Sequence, residues 1–198
     1  MIIFENLSNE EPYKVFEQKY KEATEANQIA IEAISISSFC KDTEEVHSRF
    51  VNLKLIKGKE FIFFSNYNSP KAMQFLKHSQ ITALFYWSST NTQIRMKANI
   101  EQTSTDFNNN YFKTRSPNKN ALAISSRQSE PIDSYETVIS NYEKSLKFDD
   151  LNNCPEYWGG FSFTPYYFEF WHGHESRINK RDIYEIKENI WSKSNIQP

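Results

Sequence analysis

Alternating apolar and polar positions predict a series of β-strands along the chain. Successive side chains of a strand point to opposite faces, so a period of two marks a half-buried strand. The pattern runs through residues 29–39, 49–56, 60–65, 81–87 and 93–102. Aromatic residues then fill 161–171, where Pro165 predicts a break between two strands. A closing hairpin is predicted over 182–191, with its turn at Glu188 and Asn189.

Apolar residues spaced three and four positions apart predict helices that pack outside this sheet. The spacing is found in 11–27, after residue 105, in 118–126 and in 133–148. A further helix should begin at Ser69, because serine can cap a helix and Pro70 suits the first helical position. Within 133–148, Asp133 and Glu136 have the spacing of a capping box.

Strands followed by helices and then by closing strands predict an α+β protein that is mainly β, an antiparallel barrel with flanking helices. A chain of 198 residues is long enough to bury a sizeable core without disulfides or metals. We therefore expect one domain, 1–198. Its helical N-terminal segment is expected over 1–28, and its closing strands over 155–198.

Composition and charge exclude several classes of function. Four glycines form neither a G-x-G-x-x-G motif nor a P-loop, so those nucleotide-binding folds are not expected. A net charge of −2 argues against nucleic acid as a partner. Cys40 and Cys154 have no metal-ligand spacing, so we expect free thiols and no metal. There is no apolar run of membrane-span length and no signal-peptide pattern, so we expect a cytoplasmic protein without a membrane partner.

Residues with chemical potential are concentrated in one stretch, 158–181. It holds three of the four glycines, two of the four tryptophans and two of the four histidines, and it ends in a basic cluster. Taken alone, the stretch is also typical of a hairpin with a charged tip. Elsewhere, Lys71 lies in the first turn of the helix predicted after Ser69, and free N–H groups at such a turn can bind phosphate.

Several short motifs, taken in order, carry a family resemblance. They are Ser48–Lys54, Ser69–Ala72, Gln93, Tyr111 and Phe112 with Arg115, Gln128 and Ser129, Trp158–Phe161, Glu169–Trp171, and Arg177. In this order they resemble the pyridoxamine 5′-phosphate oxidase family along residues 11–198. The ordered set is far more specific than any one motif in it.

The resemblance implies a split β-barrel that binds FMN and forms a homodimer with two FMN sites at the subunit interface. It also implies that the strands of 155–198 serve dimerisation and the substrate side of the site. It implies an oxidase of pyridoxamine or pyridoxine 5′-phosphate, in which a hydride passes from the substrate C4′ to FMN. With O2 as final acceptor, the products are pyridoxal 5′-phosphate and H2O2. The implied cofactor-binding residues are Arg49, Lys54, Phe64, Ser65, Lys71, Gln93, Gln128, Ser129, Trp171 and Arg181. The implied substrate-binding residues are Lys54, Tyr111, Arg115, Lys119 and Arg177.

Three departures from the family pattern concern mainly the substrate half of the site. Pro70 stands where the family has an arginine, and Lys119 where it has a serine. The family's Arg-x-His becomes Arg177-Ile178-Asn179, so the catalytic pair implied here is Arg177 and Asn179, and Asn179 is a neutral amide. The basic N-terminal segment of the family also has no counterpart. Two alternatives stay open: a related flavin oxidase of the phenazine-pathway type, and a flavin- or pyridoxal-phosphate-binding protein with little turnover.

Overall fold

Ten strands and five α-helices make up the computed structural model, which describes all residues, 1–198. The strands are β1 (Ile3–Glu5), β2 (Ala33–Cys40), β3 (Glu45–Asn52), β4 (Leu55–Lys57), β5 (Glu60–Asn66), β6 (Gln80–Trp87), β7 (Thr92–Gln102), β8 (Trp158–His172), β9 (Lys180–Lys187) and β10 (Ile190–Asn195). The helices are α1 (Glu11–Glu25), α2 (Pro70–Lys77), α3 (Thr105–Lys113), α4 (Pro117–Ser125) and α5 (Tyr135–Phe148). No helix is both long enough and apolar enough to cross a membrane.

Strand β8 is the central strand of the sheet and pairs with three other strands. The sheet order is β1-β4-β5-β8-β7-β6-β2-β3, and β9 pairs with β8 and with β10. Along one side β8 pairs with β7; along the other, its first half pairs with β5 and its second half with β9. The sheet curls so that β3, at the end of the path, approaches β5. The predicted split barrel with flanking helices is confirmed, with one parallel pair, β1 with β4.

Aromatic side chains fill the core of the barrel. Helix α1 buries Tyr13 and Phe16 completely, and the Phe16 ring lies 5.1 Å from Phe61 and 5.7 Å from Phe85. Aromatic pairs in edge-to-face geometry stabilise a core beyond the area they bury. The predicted N-terminal helix therefore packs against the barrel core. The short strand β1, which the sequence did not predict, precedes it.

The predicted break at Pro165 is wrong, since β8 runs through it. Pro165 pairs with Ala98 and Tyr167 pairs with Lys97, so Tyr166 is an extra residue in the ladder. Such a β-bulge tolerates a proline because the ladder is already interrupted there.

The strands predicted over 29–39 and 49–56 have different bounds in the structure. Residues 29–32 form a turn in which Ile29 is 86% exposed. The second segment divides between β3 and β4. Leu53 donates its backbone N–H to Glu32, while the next residue, Lys54, donates to Ile62 on β5. The chain thus changes hydrogen-bonding partners at a barrel corner without changing its apolar pattern.

Helix caps follow the predicted positions only in part. Ser134, not Asp133, caps α5, and its Oγ accepts a hydrogen bond from the Thr137 N–H. Ser69 does precede α2, but its hydroxyl donates to the Asn66 carbonyl and caps nothing. The closing turn at Glu188 and Asn189 has positive φ at both residues, as a tight hairpin turn requires.

Candidate functional site

A pair of cations, the half-buried Arg49 and the buried Lys71, lies between β3 and the start of α2. Arg49 donates through Nη1 to the Ser38 hydroxyl at 2.7 Å and through Nη2 to Gln74 Oε1 at 3.0 Å. Lys71 Nζ lies 3.0 Å from Ser65 Oγ and 3.3 Å from Ser69 Oγ. We call Arg49 and Lys71 the β3–α2 cation cluster. The hydrogen-bond partners of the two side chains named here are all neutral.

No carboxylate neutralises this cluster. Neither cation takes part in any ion pair of the structure. Lys71 is only 8% exposed, and burial together with the neighbouring Arg49 charge lowers its pKa to about 8. Burial also lowers the pKa of Arg49. Buried charges are normally paired, so two desolvated cations without an acid are typical of an anion-binding site.

Two more predicted cofactor residues adjoin this cluster. Gln128 Oε1 accepts from Ser65 Oγ at 3.0 Å and from the Asn66 N–H at 3.3 Å, which ties the loop after α4 to the end of β5. Ser129 follows with a φ of 72°. Both line a cleft of about 830 Å³ between this loop, α4 and α5. The structure thus brings Arg49, Ser65, Lys71 and Gln128 together, with Ser129 next to them.

Three other predicted cations meet near α3. The positive charges of Arg115 and Lys119 disfavour the charged form of Lys54, although burial is the largest cause of its lowered pKa and Glu32 partly offsets it. Arg115 donates through Nη2 to the Lys119 carbonyl at 3.0 Å, while its buried Nη1 has no hydrogen-bond partner. Burial lowers the pKa of Arg115 as well. We call Lys54, Arg115 and Lys119 the α3 cation cluster.

A stack of aromatic rings borders the α3 cation cluster. The Phe64 ring lies 3.8 Å from Tyr111 and 5.0 Å from Trp158, nearly parallel to both. The Arg115 guanidinium lies 4.3 Å from the centre of the Trp158 ring. Phe64 and Ser65 are neighbours on β5, and neighbouring side chains of a strand point to opposite faces. The Phe64 ring therefore lies with the predicted substrate residues, while Ser65 contacts the β3–α2 cation cluster.

The remaining predicted cofactor residues form a cross-strand row on β7, β8 and β9. Gln93 pairs in register with Trp171, and Trp171 with Arg181. Arg181 donates to Glu169 Oε1 through Nε at 2.9 Å and Nη2 at 2.7 Å. Arg95 holds the other Glu169 oxygen. Burial opposes ionisation of Glu169, but hydrogen bonds from both arginines outweigh it and lower its pKa.

Arg177 and Asn179 lie apart from these groups, on the exposed loop 173–179. The Arg177 side chain is exposed and makes no hydrogen bond or ion pair, and its φ is 60°. Asn179 Oδ1 accepts a hydrogen bond from the His174 N–H at 3.0 Å, and Arg177 N–H donates to the His174 carbonyl at 2.9 Å. The amide of Asn179 therefore holds the loop that carries Arg177.

The sequence did not reveal several residues that shape these sites. Ser38 and Gln74 bind Arg49, but only the register of β2 and the docking of α2 put them there. Glu169 did have a signal, because it is an acid within the aromatic run 167–171 and begins the motif Glu169–Trp171. It is 2% exposed in the structure, and an acid buried to this extent requires cationic partners. Asn108 is one of three consecutive asparagines, and nothing in the sequence distinguishes the buried one.

Solved structures with the same fold are known. PhzG of Burkholderia lata, solved in complex with tetrahydrophenazine-1-carboxylic acid, superposes with a TM-score of 0.90 at 22% identity, over 95% of this chain and 93% of that one. A pyridoxamine 5′-phosphate oxidase-related, FMN-binding protein of Nostoc punctiforme gives a TM-score of 0.80 at 13% identity, over 96% and 100% of the two chains. At these identities the likeness establishes the fold.

Sequence relatives establish the family. Residues 158–198 match the sequence model described as the pyridoxine 5′-phosphate oxidase C-terminal dimerisation region. The pyridoxine/pyridoxamine 5′-phosphate oxidase of Aliarcobacter butzleri is 34% identical over 96% of this chain and 91% of its own length. That of Coxiella burnetii is 34% identical over 90% and 91%. The chain belongs to the pyridoxine/pyridoxamine 5′-phosphate oxidase family of FMN-dependent oxidoreductases, and the enzyme class and cofactor predicted from its motifs are confirmed at that level.

Proposed function

We propose that this protein is a homodimeric oxidase that converts pyridoxine or pyridoxamine 5′-phosphate to pyridoxal 5′-phosphate, with FMN as cofactor and O2 as final acceptor. The observation that carries the proposal is a pair of cation clusters beside one strand, β5, each of which contains at least one cation whose pKa burial lowers. The side chain of Ser65 contacts one cluster, and that of Phe64 stacks on Tyr111 beside the other. The reaction needs two phosphate sites, one for FMN and one for the substrate.

The β3–α2 cation cluster fits the phosphate of FMN. A phosphate dianion would supply the negative charge that Arg49 and Lys71 lack, through charge-assisted hydrogen bonds. The hydroxyls of Ser65 and Ser69 already lie within hydrogen-bond distance of Lys71. In this proposal Gln128 and Ser129 contact the rest of the cofactor, and Gln93, Trp171 and Arg181 approach it from the partner subunit.

The α3 cation cluster fits the phosphate of the substrate. Arg115 has a buried Nη1 without a partner, and an anion at this position would satisfy it. Lys54 and Lys119 add positive charge near Arg115. Tyr111 contributes a phenol whose pKa burial raises, so it remains a hydrogen-bond donor at neutral pH.

The chain's remaining task is to orient the substrate. The chemistry supplied by bound FMN is acceptance of a hydride from C4′ and reoxidation by O2, with H2O2 as product. Arg177 would lie over the pyridine ring, where its guanidinium orients the substrate and stabilises negative charge. Asn179 cannot exchange a proton at neutral pH. We therefore propose that the role of Asn179 is to hold the loop that carries Arg177.

The test is oxygen uptake by FMN-loaded protein with pyridoxine and pyridoxamine 5′-phosphates, followed by an absorbance scan for pyridoxal 5′-phosphate. We expect turnover with both, and none with unphosphorylated pyridoxine at the same concentration. The matched variants are Arg115→Ala, which should abolish the preference for the phosphate, and Lys113→Ala on the exposed face of α3, which should not.

A second candidate is oxidation of another reduced ring, of the kind that PhzG binds. The neutral Asn179, in place of the histidine of the family pattern, is the observation that favours it. The PhzG ligand carries a carboxylate, which the α3 cation cluster can also bind. Oxygen uptake with a reduced phenazine carboxylic acid but with neither B6 phosphate would favour this candidate. FMN-containing protein that consumes no oxygen with any of these compounds would leave a binding role.

A further inference from the structure

A buried hydrogen-bond network joins α3 to the strands beside it. Asn108 is 4% exposed; its Nδ2 donates to Tyr67 Oη at 2.9 Å, and its Oδ1 accepts from the Gly160 N–H at 2.8 Å and the Thr103 hydroxyl at 2.6 Å. Tyr67 Oη donates to the Gly160 carbonyl at 3.0 Å. We call Tyr67, Thr103, Asn108 and Gly160 the Asn108 network. Every side-chain polar atom of Asn108 is therefore used.

The strands and helix that this network joins all carry parts of the candidate site. Tyr67 follows β5, directly after Asn66, whose N–H binds Gln128. Gly160 lies two residues after Trp158, whose ring contacts the Arg115 guanidinium. Tyr111 and Arg115 follow Asn108 by three and seven residues, which places them on the same side of α3 and its C-terminal turn. The buried residues of α3 are Asn108 and Phe112, and its other contacts with the strands are mainly aromatic, Tyr111 on Phe64 and Phe112 on Trp158. The Asn108 network therefore supplies the buried hydrogen bonds between α3 and the strands.

We infer that Asn108 is a positioning residue for Tyr111 and Arg115, acting through the Asn108 network on the angle at which α3 docks against β8. The inference rests on the proposed function for the identity of the substrate. Arg115 makes its one hydrogen bond within its own segment, to Lys119, and otherwise contacts Phe112 and Trp158. A shift of α3 relative to Trp158 therefore moves the guanidinium with it, away from a bound anion.

The experiment compares Asn108→Ala with Asn110→Ala, the same change on an exposed residue of the same helix. Both FMN-loaded variants are titrated with pyridoxal 5′-phosphate, and both apo-proteins with FMN. We expect Asn108→Ala to raise the Kd for pyridoxal 5′-phosphate about tenfold, the loss of roughly one buried hydrogen bond, and the Kd for FMN less than about twofold. Asn110→Ala should change neither value.

Amide hydrogen exchange gives a readout that needs no substrate. Asn108→Ala should accelerate exchange in residues 105–119 and leave β6 and β7 protected, whereas Asn110→Ala should match wild type. Tyr67→Phe removes one hydroxyl from the same network and should shift both readouts in the same direction by less. It also replaces Asn108→Ala if that variant does not fold.

The outcomes separate this inference from the proposed function. Equal losses of FMN and pyridoxal 5′-phosphate affinity, or a lowered melting temperature with unchanged pyridoxal 5′-phosphate affinity, would overturn the positioning role. If wild-type protein neither binds pyridoxal 5′-phosphate nor turns over either B6 phosphate, the proposed function fails. Amide hydrogen exchange is then the deciding measurement. Faster exchange of Asn108→Ala confined to residues 105–119 supports the positioning role of Asn108. Unchanged exchange, or exchange that is faster throughout the chain, overturns it.

Discussion

At the scale of single residues, Lys71 should make FMN binding pH-dependent if it holds the phosphate as proposed. Its pKa of about 8 in the free protein means that it loses its proton as the pH rises through that value. A phosphate dianion favours the charged form, so FMN binding takes up a proton above pH 8. We expect the Kd for FMN to be nearly constant between pH 7 and 7.5 and to rise by up to about tenfold per pH unit above 8, measured by flavin fluorescence.

Two controls test whether the pH dependence comes from the FMN phosphate and from Lys71. Riboflavin has no phosphate, so its weaker binding should lack this pH dependence. Lys71→Arg stays charged throughout the range, so the slope for FMN should disappear even if affinity falls. An FMN affinity that does not vary between pH 7 and 9.5 would show that Lys71 does not bind the phosphate.

Asn179 should act through the loop that carries Arg177. Loss of its hydrogen bond to the His174 N–H, about 1 kcal/mol, should lower kcat/KM of Asn179→Ala about fivefold without changing the Kd for FMN. Asn179→Asp keeps the acceptor oxygen and should retain most activity. In an Arg177→Ala background, Asn179→Ala should cost nothing further, because the two residues act as one unit. A steep gain in turnover from Asn179→His would instead assign the position a direct role in the reaction.

The sequence identified most of the candidate site residue by residue, but only through the family motifs. Arg49, Ser65, Lys71 and Gln128 come from four separate segments, and alternation or charge alone would not have joined them. The residues that hold them in place were not found, since Ser38 and Gln74 are ordinary polar positions until the register of β2 is known. The family motifs therefore predict which side chains bind, a prediction that stays to be tested, while only the strand register reveals which residues hold those side chains in place.

At the scale of elements, the start of β8 passes so close to its neighbours that it requires glycine. A Cβ at Gly159 would lie 2.1 Å from Tyr67 Oη and 2.4 Å from Asn108 Nδ2. Gly159→Ala should therefore destabilise the protein by about 1–3 kcal/mol, a fall in melting temperature of roughly 3–10 °C for a chain of this size. The control is Gly58→Asn, at a turn where a Cβ meets nothing within 4 Å and asparagine tolerates the positive φ. Equal melting temperatures for the two variants would contradict this close approach.

Elements were predictable where local pattern and tertiary context agree. Helix α1 and the hairpin of β9 and β10 have both a regular pattern and a conventional end. Around Lys54 the pattern continues while the hydrogen bonds change partner, so one predicted strand became two. The apolar stripe of α5 is regular, yet Tyr135 is 73% exposed and Ser145 is the only buried residue of the helix. Periodicity indicates which face is apolar but not what covers it.

At the scale of the whole molecule, the predicted cofactor residues other than Lys54 and Phe64 fall into two groups that one chain does not join. The first group is the β3–α2 cation cluster with Ser65, Gln128 and Ser129; the second is the row of Gln93, Trp171 and Arg181. No hydrogen bond or ion pair connects them, and the second group lies on β7, β8 and β9. Residues 158–198, which include two members of that row, match a dimerisation region. We expect each FMN site to combine the first group of one subunit with the second group of its partner. The extent of the domain, 1–198, also stays a prediction.

Subunit complementation tests this arrangement. One variant carries Arg49→Ala and Lys71→Ala, the other Gln93→Ala and Trp171→Ala, and each homodimer should bind little FMN and have little activity. Co-expression with two different affinity tags allows the mixed dimer to be purified. If sites are shared between subunits, one site of the mixed dimer carries both sets of changes and the other carries none. The mixed dimer should then bind about one FMN per dimer, with about half of the wild-type activity.

If each subunit holds a complete site of its own, every site is damaged and the mixed dimer stays colourless. A purified monomer that binds FMN as tightly as wild type would equally rule out a shared site.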